Sequence, residues 1–300
     1  MRDFSCFGES GVQIADSSSP GQSTNGSAVT CVYRTWLVHG DRRGGESRMT
    51  VVWSKTVLGQ VGISISIADY AAHKKQQLSL LDIKLKWKPK GSKSTHCGPT
   101  LQLHVFWDFS AAQFGLGPGP EPSGGFYVAI MSDLKMVLLL GDLAEEAYHI
   151  TGASNPSPTP GPSSVCVAKK QHISGNKVYT ARACFCDGGR WHDIAIECEC
   201  DASPSSSSSK AKEPCLEIRI DRKRVMQVKR LPWKFRGNQT IMVDDAPVEV
   251  LWDVHSWLFG AGAGARTNAA VFMFYTAPGT ATMPEAHLGF SLLLYACKVQ

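Results

Sequence analysis

The sequence predicts an all-β protein, built from two tandem related antiparallel β-meander units that form a sandwich or a barrel-like assembly. Three observations lead there. Apolar and polar residues alternate in short runs along most of the chain, the period of a half-buried strand. Stretches rich in Gly, Pro and Ser interrupt those runs. A tryptophan-centred pattern occurs twice, once in each half.

The elements follow in order. Residues 1–28 are rich in Ser, Gly and Gln from residue 8 onward and read as a flexible N-terminal arm. Thr30 to Val38 reads as a strand, Gly40 to Gly45 as a turn, and Met49 to Trp53 as the next strand. Gly62 to Ile67 alternates, with Ile63, Ile65 and Ile67 on one face. Leu81, Ile83, Leu85 and Trp87 alternate against Asp82, Lys84, Lys86 and Lys88, which predicts a strand with a lysine-rich outer face. Leu101, Leu103, Val105 and Trp107 alternate again, and Phe126 to Met131 and Met136 to Leu140 read as more central strands. Leu143 to Ile150 is the one short-helix candidate, with Asp142 as N-cap and Glu145 at N3. Loops are expected at 115–125, 152–164, 202–212 and 260–266. The chain thus divides into the arm, a first β unit over 29–150, a linker over 151–164 and a second β unit over 165–300.

The repeat supports that division. Trp87-Lys88-Pro89-Lys90-Gly91 precedes Val105-Phe106-Trp107-Asp108, and Trp233-Lys234-Phe235-Arg236-Gly237 precedes Val250-Leu251-Trp252-Asp253. The Trp-to-Trp spacing is 20 residues in the first half and 19 in the second. Phe114-Gly115 and Phe259-Gly260 follow at equal distances, as do Tyr127 and Phe272. A tryptophan near the end of an alternating strand is expected to anchor the core with its indole N–H satisfied. Asp108 and Asp253 then point to the opposite face, as turn or cap acceptors.

These residues also carry a family resemblance. Cys6-Phe7-Gly8-Glu9, Val29-Thr30-Cys31-Val32-Tyr33, Tyr127-Val128-Ala129 and Leu138-Leu139-Leu140-Gly141-Asp142 resemble the plant proteins catalogued as domain of unknown function 868. Most specific are Trp233 to Thr240 and Trp252 to Phe259. The resemblance covers most of residues 1–275 and implies a land-plant origin and an intracellular, β-rich fold. The family offers no catalytic residues to carry over.

Composition excludes several classes. With 43% hydrophobic and 19% charged residues the chain can bury a core. The net charge of +5 permits an anionic partner without requiring one. The apolar runs, such as Met136 to Leu140 and Leu292 to Cys297, fall far short of the roughly 20 residues of a spanning helix. Met1 to Gly11 has no apolar h-region, so an intracellular, non-secreted protein, cytoplasmic or nuclear, is expected. In that setting the ten cysteines read as free, buried thiols.

Chemical candidates are few. Cys184-x-Cys186 and Cys198-x-Cys200 invite a zinc site. A two-residue hairpin at Gly188-Gly189 argues against it, because it sets Cys198 opposite Tyr179, roughly 17 Å from Cys184. No Gly-x-Ser-x-Gly elbow or phosphate-cradling glycine pattern is present. Catalytic residues, metal and cofactor are therefore not predicted.

What remains is charge. From Lys210 to Arg236 there are ten Lys or Arg and three acids, with Trp233 and Phe235 interleaved. Arg222, Lys223, Arg224, Lys229, Arg230, Lys234 and Arg236 form the candidate anion-binding face, matched by Lys84, Lys86, Lys88 and Lys90 in the first half. The expected function is a non-catalytic binding or interaction module whose partner is a protein or an anionic surface; nucleic-acid binding is not predicted. The alternatives are a small-molecule-binding barrel or sandwich and an enzyme of unknown class.

Overall fold

Alternation becomes strands wherever one face has a core to cover. The computed structural model describes residues 27–39, 42–68, 77–97, 101–115, 119–153, 164–186, 189–199, 213–259, 269–277 and 289–298. All of the expected arm but Ser27 and Ala28, and the loops at 202–212 and 260–266, lie outside the described residues.

In the first half, β1 (Ser27–His39), β2 (Arg42–Lys55), β3 (Val61–Ala68) and β4 (Gln77–Lys84) form an antiparallel meander. Then come β5 (Lys90–Cys97), β6 (Leu101–Asp108), the short β7 (Gln113–Phe114) and β8 (Pro122–Gly124), β9 (Tyr127–Ser132) and β10 (Lys135–Gly141). Four of these form a second sheet in the order β10-β9-β6-β5. Ile63, Ile65 and Ile67 of β3 are all buried, as the alternation predicts, and they share one core with Leu103, Val105 and Trp107 of β6.

The second half begins with β11 (Ser164–Gly175), followed by β12 (Val178–Ala183), β13 (His192–Glu199), β14 (Cys215–Ile220) and β15 (Lys223–Val228). It continues with β16 (Arg236–Val243), β17 (Ala246–Asp253), β18 (Ala269–Thr276) and β19 (Phe290–Lys298). Strands β12 to β15 form a four-stranded sheet, and its apolar face packs with that of β16 to β19 into a second core.

Strand β11 joins the halves. It pairs antiparallel with β1 and parallel with β19, so one nine-stranded sheet runs β16-β17-β18-β19-β11-β1-β2-β3-β4. Each end of that sheet is covered by one four-stranded sheet. The sheets stack as sandwiches, and no barrel closes among the described residues.

The helix expected near 143–150 is α1 (Ala144–Thr151). Its buried Ala147 packs on Tyr127 and Ala129 of β9, so β9 is buried on both faces, which explains its continuous apolar run. Asp142 does not cap α1; Leu143 holds the N-cap position without a side-chain hydrogen bond. The Asp142 carboxylate instead accepts the Gly125 and Phe126 N–H groups at 3.0 and 3.2 Å, because Gly141, at φ 98°, turns the chain back toward that loop. A second helix, α2 (His255–Phe259), was not expected from sequence.

Three hairpins close on two residues that both have positive φ: Asp133-Leu134, Asp221-Arg222 and Asp244-Asp245. This is the turn whose twist matches that of the flanking strands. None contains glycine, so composition did not mark them.

The register of the β12–β13 hairpin corrects the sequence reading. Ala183 pairs with His192 and Tyr179 with Ile196, two residues away from the expected Cys198. Strand pairing stops at Ala183 and His192, which is not the register of a two-residue turn at Gly188-Gly189. Cys198 is disulfide-bonded, which corrects the expectation of free thiols at that position. That expectation rested on compartment alone, which does not say which sulfurs a fold brings together. Cys31, Cys166, Cys184, Cys186, Cys215 and Cys297 are not disulfide-bonded.

Candidate functional site

The seven basic residues flank and occupy β15, and the fold separates them into two groups. Arg222 and Lys223 stand at its start, in and just after the Asp221-Arg222 turn, while Lys229, Arg230 and Lys234 follow its end. Six residues of strand put roughly 20 Å between the groups. Two of the seven are engaged: Arg224 faces Glu217 at 3.4 Å, and Arg236 is paired with Asp253 at 2.7 Å. Lys229, Arg230 and Lys234 have no ion-pair partner among the described residues.

The second group sits on a turn of fixed shape. Leu231 is fully buried and donates its N–H to the Pro214 carbonyl. Arg230, at φ 55°, offers its carbonyl to the N–H groups of Trp233 and Lys234 at 3.0 and 3.2 Å. Leu231 thus anchors the turn and Trp233 stands out from it, 87% exposed. Glu213, Pro214, Arg230, Pro232, Trp233 and Lys234 line a shallow cavity of about 550 Å3.

The turn between β4 and β5 is built alike. Leu85 is buried and donates to the Val61 carbonyl at 3.0 Å. The Lys84 carbonyl accepts from Trp87 at 3.0 Å and Lys88 at 3.3 Å. Trp87 is 70% exposed, so the expected alternation through Leu85 to Trp87 fails there. Strand β4 ends at Lys84, and the chain leaves the pleat that would have turned Trp87 inward.

Behind each turn lies the other tryptophan. Trp107 and Trp252 are buried, and their indole N–H groups donate to the Lys88 and Lys234 carbonyls at 3.1 and 3.0 Å, as a core anchor requires. Asp108 and Asp253 act as turn acceptors, taking the Ser110 and His255 N–H groups at 2.9 and 3.0 Å. Each is also ion-paired across the hairpin at 2.7 Å, to Lys90 and to Arg236. Gly91 and Gly237 face these indoles directly: a Cβ would stand 2.7 Å from the Trp107 ring and 2.5 Å from the Trp252 ring. Gly237→Val is therefore expected to destabilise the protein by about 1–3 kcal/mol, read as a lower urea midpoint.

A family model described as "Plant protein of unknown function (DUF868)" matches residues 24–298 of this chain. The chain belongs to that family. No curated protein and no solved structure matches it. The DUF868 match begins three residues before β1 and spans both tryptophan turns and all nineteen strands of the described residues. Among the described residues of this DUF868 protein, no cluster of three or more His, Cys, Asp or Glu is arranged to hold a metal ion, and no helix is long and apolar enough to cross a membrane.

Sequence reasoning marked the basic residues of this surface but missed the exposure of Trp87 and Trp233. The available signal was the buried leucine two residues before each, Leu85 and Leu231, which takes the core position.

Proposed function

We propose that this DUF868 protein is a non-catalytic interaction module that takes an acidic protein segment at the tryptophan turn of its second half. The observation that carries this reading is Trp233, exposed on an anchored turn among three basic side chains free of ion pairs. Tryptophan and arginine are the residue types that most often dominate protein interfaces. Beside the turn runs β16, the outermost strand of the nine-stranded sheet, which carries Arg236 as its single charge. An edge so lightly charged suits an added strand, and its backbone groups find partners in a peptide that a lipid headgroup does not offer.

The likeness of the two turns also supports reading the chain as two related halves, 29–150 and 165–300, joined by 151–164. A ligand-holding barrel draws no support from stacked open sheets, and an enzyme draws none from the residues around either turn.

Titration with an acidic, Glu/Asp-rich decapeptide, followed by tryptophan fluorescence, tests the proposal. Trp233→Ala and the triple change Lys229→Gln, Arg230→Gln, Lys234→Gln should each weaken binding at least about tenfold. The triple variant should also flatten its salt dependence. Arg222→Gln with Lys223→Gln, at the far end of β15, should leave binding unchanged. Equal affinity across all variants overturns the reading, and binding to anionic vesicles with none to the peptide replaces it with a lipid surface.

A further inference from the structure

The seam between the halves holds a group of reactive side chains that the interaction surface does not use. Strands β1 and β11 meet there, and their register shifts at one bulge: Val32 pairs with Ala168 but Tyr33 pairs with Cys166, leaving Val167 as the extra residue. Cys31 pairs with Lys169. The bulge therefore brings Cys166 to the face that carries Cys31, Tyr33 and Lys169. Without it, Cys166 would point to the other side of the sheet. Cys166 touches both hydrophobic cores, whereas Cys31 is buried in the first.

The surroundings divide the labour between the two thiols. Lys169 is 4% exposed and its Nζ lies 2.7 Å from Glu121 Oε2. Its Nζ also lies 5.5 Å from the centre of the Trp191 ring. The other carboxylate oxygen, Glu121 Oε1, lies 3.8 Å from Cys31 Sγ. Cys166 Sγ itself donates to the Ala168 carbonyl at 3.7 Å. The neighbouring Cys31, together with the Lys169 ammonium, holds the Cys166 thiol below its ordinary range despite burial. Interaction with Cys166, with burial, pushes the Cys31 thiol well up. Cys166 and Glu121 are each only partly buried.

We propose that Cys31 and Cys166 form a peroxide-responsive dithiol–disulfide pair across the seam, with Cys166 the attacking sulfur and Cys31 the resolving one. The Cys166 thiolate attacks one oxygen of hydrogen peroxide. The O–O bond breaks, an S–O bond forms, and the departing hydroxide takes a proton to leave as water. Cys166 is now a sulfenic acid. Cys31 then gives its proton to Glu121 and attacks the Cys166 sulfur; an S–S bond replaces the S–O bond, and hydroxide leaves and recovers that proton as a second water. Two thiols lose two electrons and one peroxide gains them. A dithiol reductant reverses the change by exchange.

The full-length protein tests this by peroxide treatment, peptide mapping and intact mass. The wild type should lose 2 Da and yield one new crosslink, between the peptides of Cys31 and Cys166, that dithiothreitol removes. Cys31→Ser should leave a sulfenic acid on Cys166 that dimedone traps, whereas Cys166→Ser should leave Cys31 unreacted. Lys169→Met should slow oxidation of Cys166 about tenfold, because the ammonium that favours its thiolate is gone. Should Lys169→Met fail to fold, the two serine variants, which change single atoms, still decide the matter. Cys31 and Cys166 both remaining alkylatable after peroxide, or dimedone labelling of Cys31 in the Cys166→Ser variant, overturns the proposal.

Discussion

Trp252→Ala is expected to destabilise the protein by about 3–5 kcal/mol, the range for deleting a large buried aromatic side chain. The indole is 8% exposed and fills the space that Gly237 leaves open. Its removal creates a cavity that Gly237, lacking a side chain, cannot fill. It also frees the Lys234 carbonyl, which the indole N–H holds at 3.0 Å. That carbonyl belongs to the turn that presents Trp233, so the variant should lose acidic-peptide binding as well as stability. Trp107→Ala should cost a similar amount, since that indole meets Gly91 and the Lys88 carbonyl in the same way. Urea unfolding of the two variants checks this; a cost below 1 kcal/mol for either would show that these indoles do not anchor their hairpins.

His192→Ala is expected to cost about 3 kcal/mol, from a lost buried ring and its lost contacts with two carboxylates. The ring is 1% exposed, and Phe185 packs near it at 5.9 Å between ring centres. Nδ1 lies 2.8 Å from Asp221 and Nε2 lies 3.1 Å from Asp244. Those carboxylates belong to the two-residue turns of the β14–β15 and β16–β17 hairpins, which lie in different sheets. His192 therefore ties together the two layers of the second half, and Arg190 reinforces the tie at 2.7 Å from Asp244.

The same network predicts an acid response. The Asp193 N–H, then His192, hold the Asp221 carboxyl below its usual range, and the Arg190 guanidinium does the same for Asp244. Both folded values are depressed, so their contribution is present above the unfolded value of about 3.9 and is lost as pH falls through the lower folded values. The urea midpoint should hold steady from pH 7 to about 4 and drop below it. The drop should be shallower in His192→Ala; an identical acid profile would remove this account.

How much of this was legible in the sequence differs from residue to residue. Ile63, Ile65 and Ile67 fall on one buried face because strand geometry alone imposes a period of two. Trp107 and Trp252 were legible as anchors for the same reason. Asp142 was misread because an Asp before a helical run satisfies the rule for an N-cap, yet Gly141 aims it at another loop. The hairpin turns at Asp221-Arg222 and Asp244-Asp245 carried no glycine, and their role as holders of His192 depends on sheets that meet only after folding.

The sequence by itself determined that the chain is all-β, where several first-half strands lie, and which tryptophans recur in both halves; the turn expected at Gly40 to Gly45 is instead largely part of β2, which begins at Arg42. The properties it determined are local, fixed by side-chain period, turn chemistry and spacing along one chain. Only the tertiary structure decided that β11 joins both halves into one nine-stranded sheet, that Trp87 and Trp233 face outward, and that Cys31 and Cys166 share one face of the seam. Each depends on pairing between residues far apart in sequence, and a single bulge at Val167 is enough to change which side chains share a face.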